Sequence, residues 1–195
     1  MTLAEPLKIT RIISSIFDEL RIPHYVVGSL ASSFHGIPRA TADADLVAEI
    51  KPEQIPLLSK KLRDKFYVDE EWIKKAVRNH SSFNVIHLET MFKIDVFIQK
   101  KDPFSENVMA RRILYQITEE KGQGLYLATA EDIILSKLEW YEAGGRESER
   151  QWTDVLGVLQ VCSNNLDIIY LKESAEKRNL ADLLNEAFEA AGILR

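Results

Sequence analysis

The stretch Val26-Val27-Gly28-Ser29-Leu30-Ala31-Ser32-Ser33-Phe34-His35-Gly36-Ile37-Pro38-Arg39-Ala40-Thr41-Ala42-Asp43-Ala44-Asp45-Leu46-Val47 decides how the rest of the chain is read. A β-prone run at 25–27 stops at Gly28-Ser29, and the segment 30–35 that follows is compatible with a helix. A small-residue turn at a helix entrance lets backbone N–H groups approach an anion, which makes Gly28 and Ser29 a candidate phosphate-holding turn. Residues 40–47 then alternate, with Thr41, Asp43 and Asp45 on one side and Ala42, Ala44 and Leu46 on the other. Successive strand side chains point to opposite faces, so the two carboxylates share a face with Cα atoms roughly 7 Å apart. Like charges so placed repel. A hard divalent cation such as Mg²⁺, which takes carboxylate oxygens and keeps its other positions for water and substrate phosphates, gives them a reason to be there. For an Asp-x-Asp on its own, a solvated strand face is the alternative.

The chain has 195 residues, 46% of them hydrophobic and 28% charged, enough for one cored domain or a domain with an appended lobe. The apolar segment around Ile12, Ile13 and Ile16 is broken by Arg11, Ser14, Ser15 and Asp18 and has no secretory pattern. No run is long enough to cross a bilayer, so the expectation is a cytoplasmic protein with no membrane association. Cys162, the single cysteine, has no internal disulfide partner and is expected in buried packing beside Leu159 and Val161. Residues 1–128 hold 18 basic and 17 acidic side chains, and residues 129–195 hold 7 and 13. An acidic C-terminal part does not suit a nucleic-acid clamp, although a small RNA remains compatible with a local basic patch.

Residues 7–20 carry an amphipathic helical stripe closed by Pro23, and 24–27 form the first strand. A second strand spans about 42–50, and helices are expected at about 53–64 and 70–77. The runs 82–87 and 92–98 read as a hairpin, and 113–117 with 125–127 around Gly122-Gln123-Gly124 as another at an edge. From Thr129 the period becomes helical. Thr129 is the expected N-cap, with Asp132 in the capping-box position; Gly144-Gly145 is the stop, and Ser148 caps the next helix. Shorter helices follow at about 166–177 and 180–190. The expected class is α+β: a small mixed sheet flanked by helices at 1–128, with a C-terminal helical lobe at 129–195 packed on it.

Asp95 lies in Phe92-Lys93-Ile94-Asp95-Val96-Phe97, flanked by apolar residues, where an unpaired charge is costly. The same metal site as Asp43 and Asp45 is its most economical partner.

Gly-Ser, then Asp-x-Asp, then Lys-x-Asp, in that order, resembles the nucleotidyltransferase superfamily with its polymerase-β-like fold. The closest likeness is to the AbiEii-type and minimal nucleotidyltransferases of abortive-infection and toxin-antitoxin systems. It is carried by Arg39-Ala40-Thr41-Ala42-Asp43-Ala44-Asp45-Leu46, by 131–138 (Glu-Asp-Ile-Ile-Leu-Ser-Lys-Leu) and by Arg150-Gln151-Trp152-Thr153-Asp154-Val155. It covers most of 26–159. Thirteen residues separate Ser29 from Asp43, more than in polymerase-like members, a spacing that the AbiEii-like branch tolerates.

The resemblance implies a Mg²⁺-dependent enzyme, with two metals possible, that moves a nucleoside monophosphate from a nucleoside triphosphate such as ATP to a hydroxyl. The acceptor would be RNA (tRNA) or protein, and the chain would be a component of a toxin-antitoxin pair with a cognate partner. Asp43, Asp45 and Asp95 would be the catalytic, metal-binding set. Gly28, Ser29, Arg39, Thr41, Lys93 and Lys137 would serve the nucleotide. An inactive nucleotide- or protein-binding module of the same fold is the alternative, and a transferase for a small molecule such as an aminoglycoside is a third possibility. Other readings are local: Lys137 and Asp154 pairing with one another, Arg146 and Arg150 at a solvated helix start, and Trp140 and Trp152 in the core. His24, His35, His80 and His87 share no metal-like spacing and are expected to be structural or surface residues.

Overall fold

The alternation at 40–47 becomes strand β2 (Asp43–Ala48), in which Ala44, Leu46 and Ala48 are fully buried while Asp43, Asp45 and Val47 are half-buried. The structure, a computed structural model, describes residues 4–116 and 124–193. The other strands are β1 (His24–Val27), β3 (Phe66–Tyr67), β4 (Ser82–His87), β5 (Lys93–Ile98), β6 (Ile113–Gln116) and β7 (Gly124–Leu127). They form one mixed sheet in the order β3-β4-β5-β2-β1-β7-β6. Both expected hairpins are present as the antiparallel pairs β4–β5 and β6–β7, the latter at the sheet edge. Ile117, Gly122 and Gln123 of the second hairpin lie outside the described residues.

Packing divides the chain into two units, Met1–Leu30 with Ala40–Ala128, and Ala31–Arg39 with Thr129–Arg195. In the first, helix α1 (Ala4–Glu19) places Ile9, Ile13 and Phe17 in the core and touches β2 and β7. Each large apolar side chain so buried is worth about 1.5–3 kcal/mol. Helix α2 (Gly28–His35) follows β1 directly and gives its first three residues to this unit. A 3-10 turn at Pro52–Gln54 leads into α3 (Ile55–Leu62), and α4 (Glu70–Asn79) packs Ile73 and Ala76 inward beside β4. Asp69 caps α4 by accepting from the N–H groups of Glu71 and Trp72.

Two elements have no counterpart in the sequence reading: the two-residue edge strand β3, and α5 (Pro103–Arg111), whose cap Asp102 accepts from Ser105 N at 3.0 Å. Hydrogen bonds from Ser105 hold the Asp102 carboxyl below its usual range against partial burial.

The second unit joins 31–39 to four helices, α6 (Ala130–Ala143), α7 (Glu149–Cys162), α8 (Ile168–Lys177) and α9 (Ala181–Ala190). Thr129 and Ser148 cap α6 and α7 as expected, accepting from Asp132 N and Gln151 N. The loop after α2 lies against α7 so closely that a Cβ on Gly36 would stand 2.7 Å from Val158 N. Ile134, Leu138, Val155, Val158, Leu171 and Leu184 fill the core.

Two expectations fail here. Trp140 is 63% exposed, because it falls about 200° around α6 from Leu138, away from the buried stripe. Trp152 is half-buried, stacked on Tyr141 with ring centroids 5.2 Å apart. Cys162 is half-buried, with Sγ donating to His35 O at 3.2 Å, since Val161 beside it points outward. Burial, then the nearby charge of Glu131, pushes its thiol pKa up. Among the described residues no helix is long and apolar enough to cross a membrane.

Candidate functional site

Strands β2 and β5 run parallel and in register, Asp43 beside Lys93 and Asp45 beside Asp95. Their alternate residues Ala44, Leu46, Ile94 and Val96 have no exposed surface, which turns Asp43, Asp45, Lys93 and Asp95 together to the other face. Val27, at the end of β1, pairs with Asp45, so the turn into α2 starts beside that carboxylate. Gly28 takes φ +63°, and a Cβ on it would lie 2.0 Å from Asp45 Oδ2. Only glycine lets the chain turn there with Asp45 in place. Ser29 is the next residue, on the first turn of α2.

Each acid is held. The Thr41 hydroxyl lies 2.9 Å from the Asp43 carbonyl oxygen and 3.3 Å from its Oδ1, donating towards both. Lys93 Nζ is 2.7 Å from Asp95 Oδ2, with the lysine side chain 44% and the aspartate 23% exposed. That hydrogen bond, helped by the attraction of Asp95, Asp43 and Asp45 and opposed by desolvation, raises the Lys93 ammonium above its usual range.

Opposite Asp95 on its other side stands Asn84 of β4. With Trp72 and Lys75 of α4 and the Ser81–Ser82 segment, Asn84 lines a surface cavity of about 310 Å³. Sequence reading passed over Asn84. Its signal is the alternation of β4, which puts Asn84 out of phase with buried Phe83 and Val85.

Arg39 and Lys137 belong to the second unit, and there both meet Asp154. Arg39 grips it in a fork, Nε to Oδ1 at 2.8 Å and Nη2 to Oδ2 at 3.0 Å, while Lys137 Nζ donates to Oδ2 at 2.8 Å. The side chains of Asp154 and Lys137 are 5% and 7% exposed. Burial alone would raise the Asp154 carboxyl, but the hydrogen bonds and charges of Arg39 and Lys137 outweigh it and hold the pKa low. Arg146 is exposed and pairs with Glu142 and Glu186, and Arg150 is exposed. His24, His35 and His87 are buried and His80 is exposed.

Among the described residues no group of three or more His, Cys, Asp or Glu side chains converges to hold a metal ion. Asp43, Asp45 and Asp95 thus share a face without forming a closed three-ligand cage. Their chemistry still fits Mg²⁺: the donors are all hard oxygens, and that ion is held through one or two carboxylates with waters and substrate phosphates completing the shell.

No family model and no curated protein matches the sequence. Solved structures do resemble it. An antigenic nucleotidyltransferase-like protein from Paracoccidioides brasiliensis has a TM-score of 0.65 at 20% identity, over 96% of this chain and 92% of that one. The antibiotic-resistance factor ANT(2'')-Ia gives 0.54 at 12% identity in its solution structure, over 92% and 96%. Its crystal structure in complex with adenylyl-2''-tobramycin gives 0.56 at 12% identity, over 89% and 98%. At these identities the likeness is one of fold: the chain has the nucleotidyltransferase fold, with the mixed sheet and flanking helices expected of it.

Proposed function

We propose that the protein is a metal-dependent nucleotidyltransferase that transfers a nucleoside monophosphate from a nucleoside triphosphate to a hydroxyl. The observation that carries this is the registered face of β2 and β5, where Asp43, Asp45 and Asp95 stand together beside the Gly28 turn. Asp43, Asp45 and, in a second position, Asp95 would hold Mg²⁺, which when bound neutralises the triphosphate and polarises its α-phosphoryl group. The backbone amides at Gly28 and the Ser29 hydroxyl hold the β- and γ-phosphates. Thr41 steadies Asp43, and Lys93 contributes positive charge to the phosphates. Asp95 either completes that second metal position or takes the proton as the acceptor oxygen bonds to the α-phosphorus and the bond to the pyrophosphate oxygen breaks. Arg39 and Lys137, the remaining nucleotide candidates, are both engaged by Asp154.

The likeness to AbiEii-type and minimal nucleotidyltransferases supports an RNA or protein acceptor and a role in a cytoplasmic toxin-antitoxin pair. A small-molecule hydroxyl is the second reading, favoured by the similarity to ANT(2'')-Ia, a protein solved in complex with adenylyl-2''-tobramycin.

Thermal-shift titration with each ribonucleoside triphosphate, with and without Mg²⁺, tests the site. Ligand at a hundred times its Kd adds about 2.7 kcal/mol, a rise of roughly 5 to 10 °C for a chain of this size. The shift should require Mg²⁺ and vanish in a folded Asp45→Asn variant. No shift with any triphosphate would overturn the assignment in favour of a binding module.

A further inference from the structure

Three carboxylates and one ammonium share the β2–β5 face, and the ammonium is already engaged. Lys93 is opposite Asp43 in the register, yet its Nζ reaches two positions along its own strand to Asp95 Oδ2, 2.7 Å away. We propose that Lys93 is a resident counter-ion of this face, competing with the divalent cation for Asp95 and passing to the triphosphate when nucleotide and cation load together.

This rests on the reading of the face as a metal and nucleotide site, and adds an order of events to it. Asp43, Asp45 and Asp95 present up to three negative charges on one face, and Lys93 offsets one of them. Asp95 is its 2.7 Å partner, Asp43 stands opposite it in the register, and Asp45 lies on the same face beside Asp95. The pair is also exchangeable. With the lysine 44% and the aspartate 23% exposed, solvent screens the attraction, and such pairs are worth about 0–1 kcal/mol, little enough for a divalent cation to displace. A lysine ammonium is a point charge on a flexible four-carbon stem, with no fixed fork geometry to lose on changing partner.

The chemistry then gives a direction. A divalent cation arriving alone takes carboxylate oxygen away from Lys93 and offers the ammonium nothing in return. Arriving with a triphosphate, it brings anionic oxygens that the displaced ammonium can join. Binding of cation and nucleotide is therefore mutually reinforcing, and Lys93 carries part of the coupling; what one ligand gains from the other, the other gains equally.

The test uses the full chain and two probes, Mn²⁺ followed by electron paramagnetic resonance and α,β-methylene-ATP followed by calorimetry. Lys93→Met should bind Mn²⁺ alone about threefold to fivefold more tightly than wild type, the upper figure being the 1 kcal/mol limit for a screened competitor. The same variant should bind α,β-methylene-ATP less tightly in saturating Mn²⁺, so that the reinforcement between the two ligands shrinks. Lys93→Arg, which keeps the charge, should restore most of it. Lys60→Met, at an exposed position of α3, serves as the control for a general change in charge and should alter Mn²⁺ affinity less than about twofold.

Unchanged Mn²⁺ affinity in Lys93→Met, with wild-type binding that Asp45→Asn abolishes, would overturn the counter-ion role and leave the metal site standing. Equal tightening by Lys60→Met would also overturn it, since a diffuse field would then explain the gain. Wild-type protein with no Mn²⁺ binding sensitive to Asp43→Asn or Asp45→Asn would instead overturn the functional reading on which the inference rests.

Discussion

Two ion clusters, one in each unit, are built on opposite principles. In the second unit two cations, Arg39 and Lys137, close on one carboxylate, Asp154, and the lysine and the carboxylate are nearly sealed from solvent. In the first unit the balance is reversed, with three carboxylates to one lysine, and the pair that does form is partly open. A buried charge left without a partner is heavily penalised, so the Asp154 cluster reads as a joint of the fold. An acidic face partly open to solvent gains little for stability, and its hard carboxylate oxygens suit an external cation. The lesson is that charge balance and burial together separate a structural cluster from a candidate site better than residue type does.

The largest expected effect breaks the comparison from the structural side. Asp154→Ala removes the anion that both Arg39 and Lys137 close upon, and removing one partner of a buried pair costs about 3–5 kcal/mol. The midpoint of denaturant unfolding should fall accordingly; a loss under about 1 kcal/mol would show the cluster to be as dispensable as a surface pair. The same cluster sets a pH dependence. Because the folded-state pKa of Asp154 is depressed, its contribution is complete above the ordinary carboxylate pKa near 3.9 and is lost as pH falls through the folded-state value. Wild type should therefore lose stability in acid more steeply than Asp154→Asn, and parallel acid-unfolding curves would contradict this.

Gly28→Ala comes next, and it joins fold and site at one atom. A methyl group there meets Asp45 Oδ2, and the φ of +63° disfavours any side chain, so about 1–3 kcal/mol of stability should be lost. The proposed Mg²⁺-dependent nucleotide shift should be lost with it, since the carboxylate has to move. A variant as stable as wild type, with nucleotide binding intact, would show that the close approach is relaxed at no cost.

Much of this was legible before any coordinates. The alternation through Asp43 and Asp45 placed both on one face, the apolar runs around Glu89-Thr90-Met91 marked the β4–β5 hairpin, and Thr129 and Ser148 announced two helices. What stayed hidden depends on contacts distant in sequence. That Asp45 lies beside Asp95 is a matter of register between parallel strands, which no local pattern encodes. The grip of Arg39 on Asp154 spans 115 positions. Helix α5 is short, and its Asp102-Pro103 start is a signal that reads as a turn as readily as a cap. Strand β3, two residues long, pairs only with Ile86 and His87 and has no alternation to read.

The smallest expected effect is the sharpest discriminator. Lys93→Met breaks the 2.7 Å pair with Asp95, yet the lysine is 44% exposed, so screening and side-chain entropy cancel most of the attraction. The melting temperature in metal-free buffer should stay within about 2 °C of wild type, equivalent to roughly 0.5 kcal/mol for a chain of this size. Set against the several kcal/mol expected for Asp154→Ala, such a near-zero result means that the Lys93–Asp95 pair does not hold the fold, which leaves it free to exchange partners as the counter-ion role requires. A loss of 2 kcal/mol or more would put Lys93 beside Asp154 as a joint of the fold, and the contrast between an open site and a sealed one would fail at the residue where it is drawn most finely.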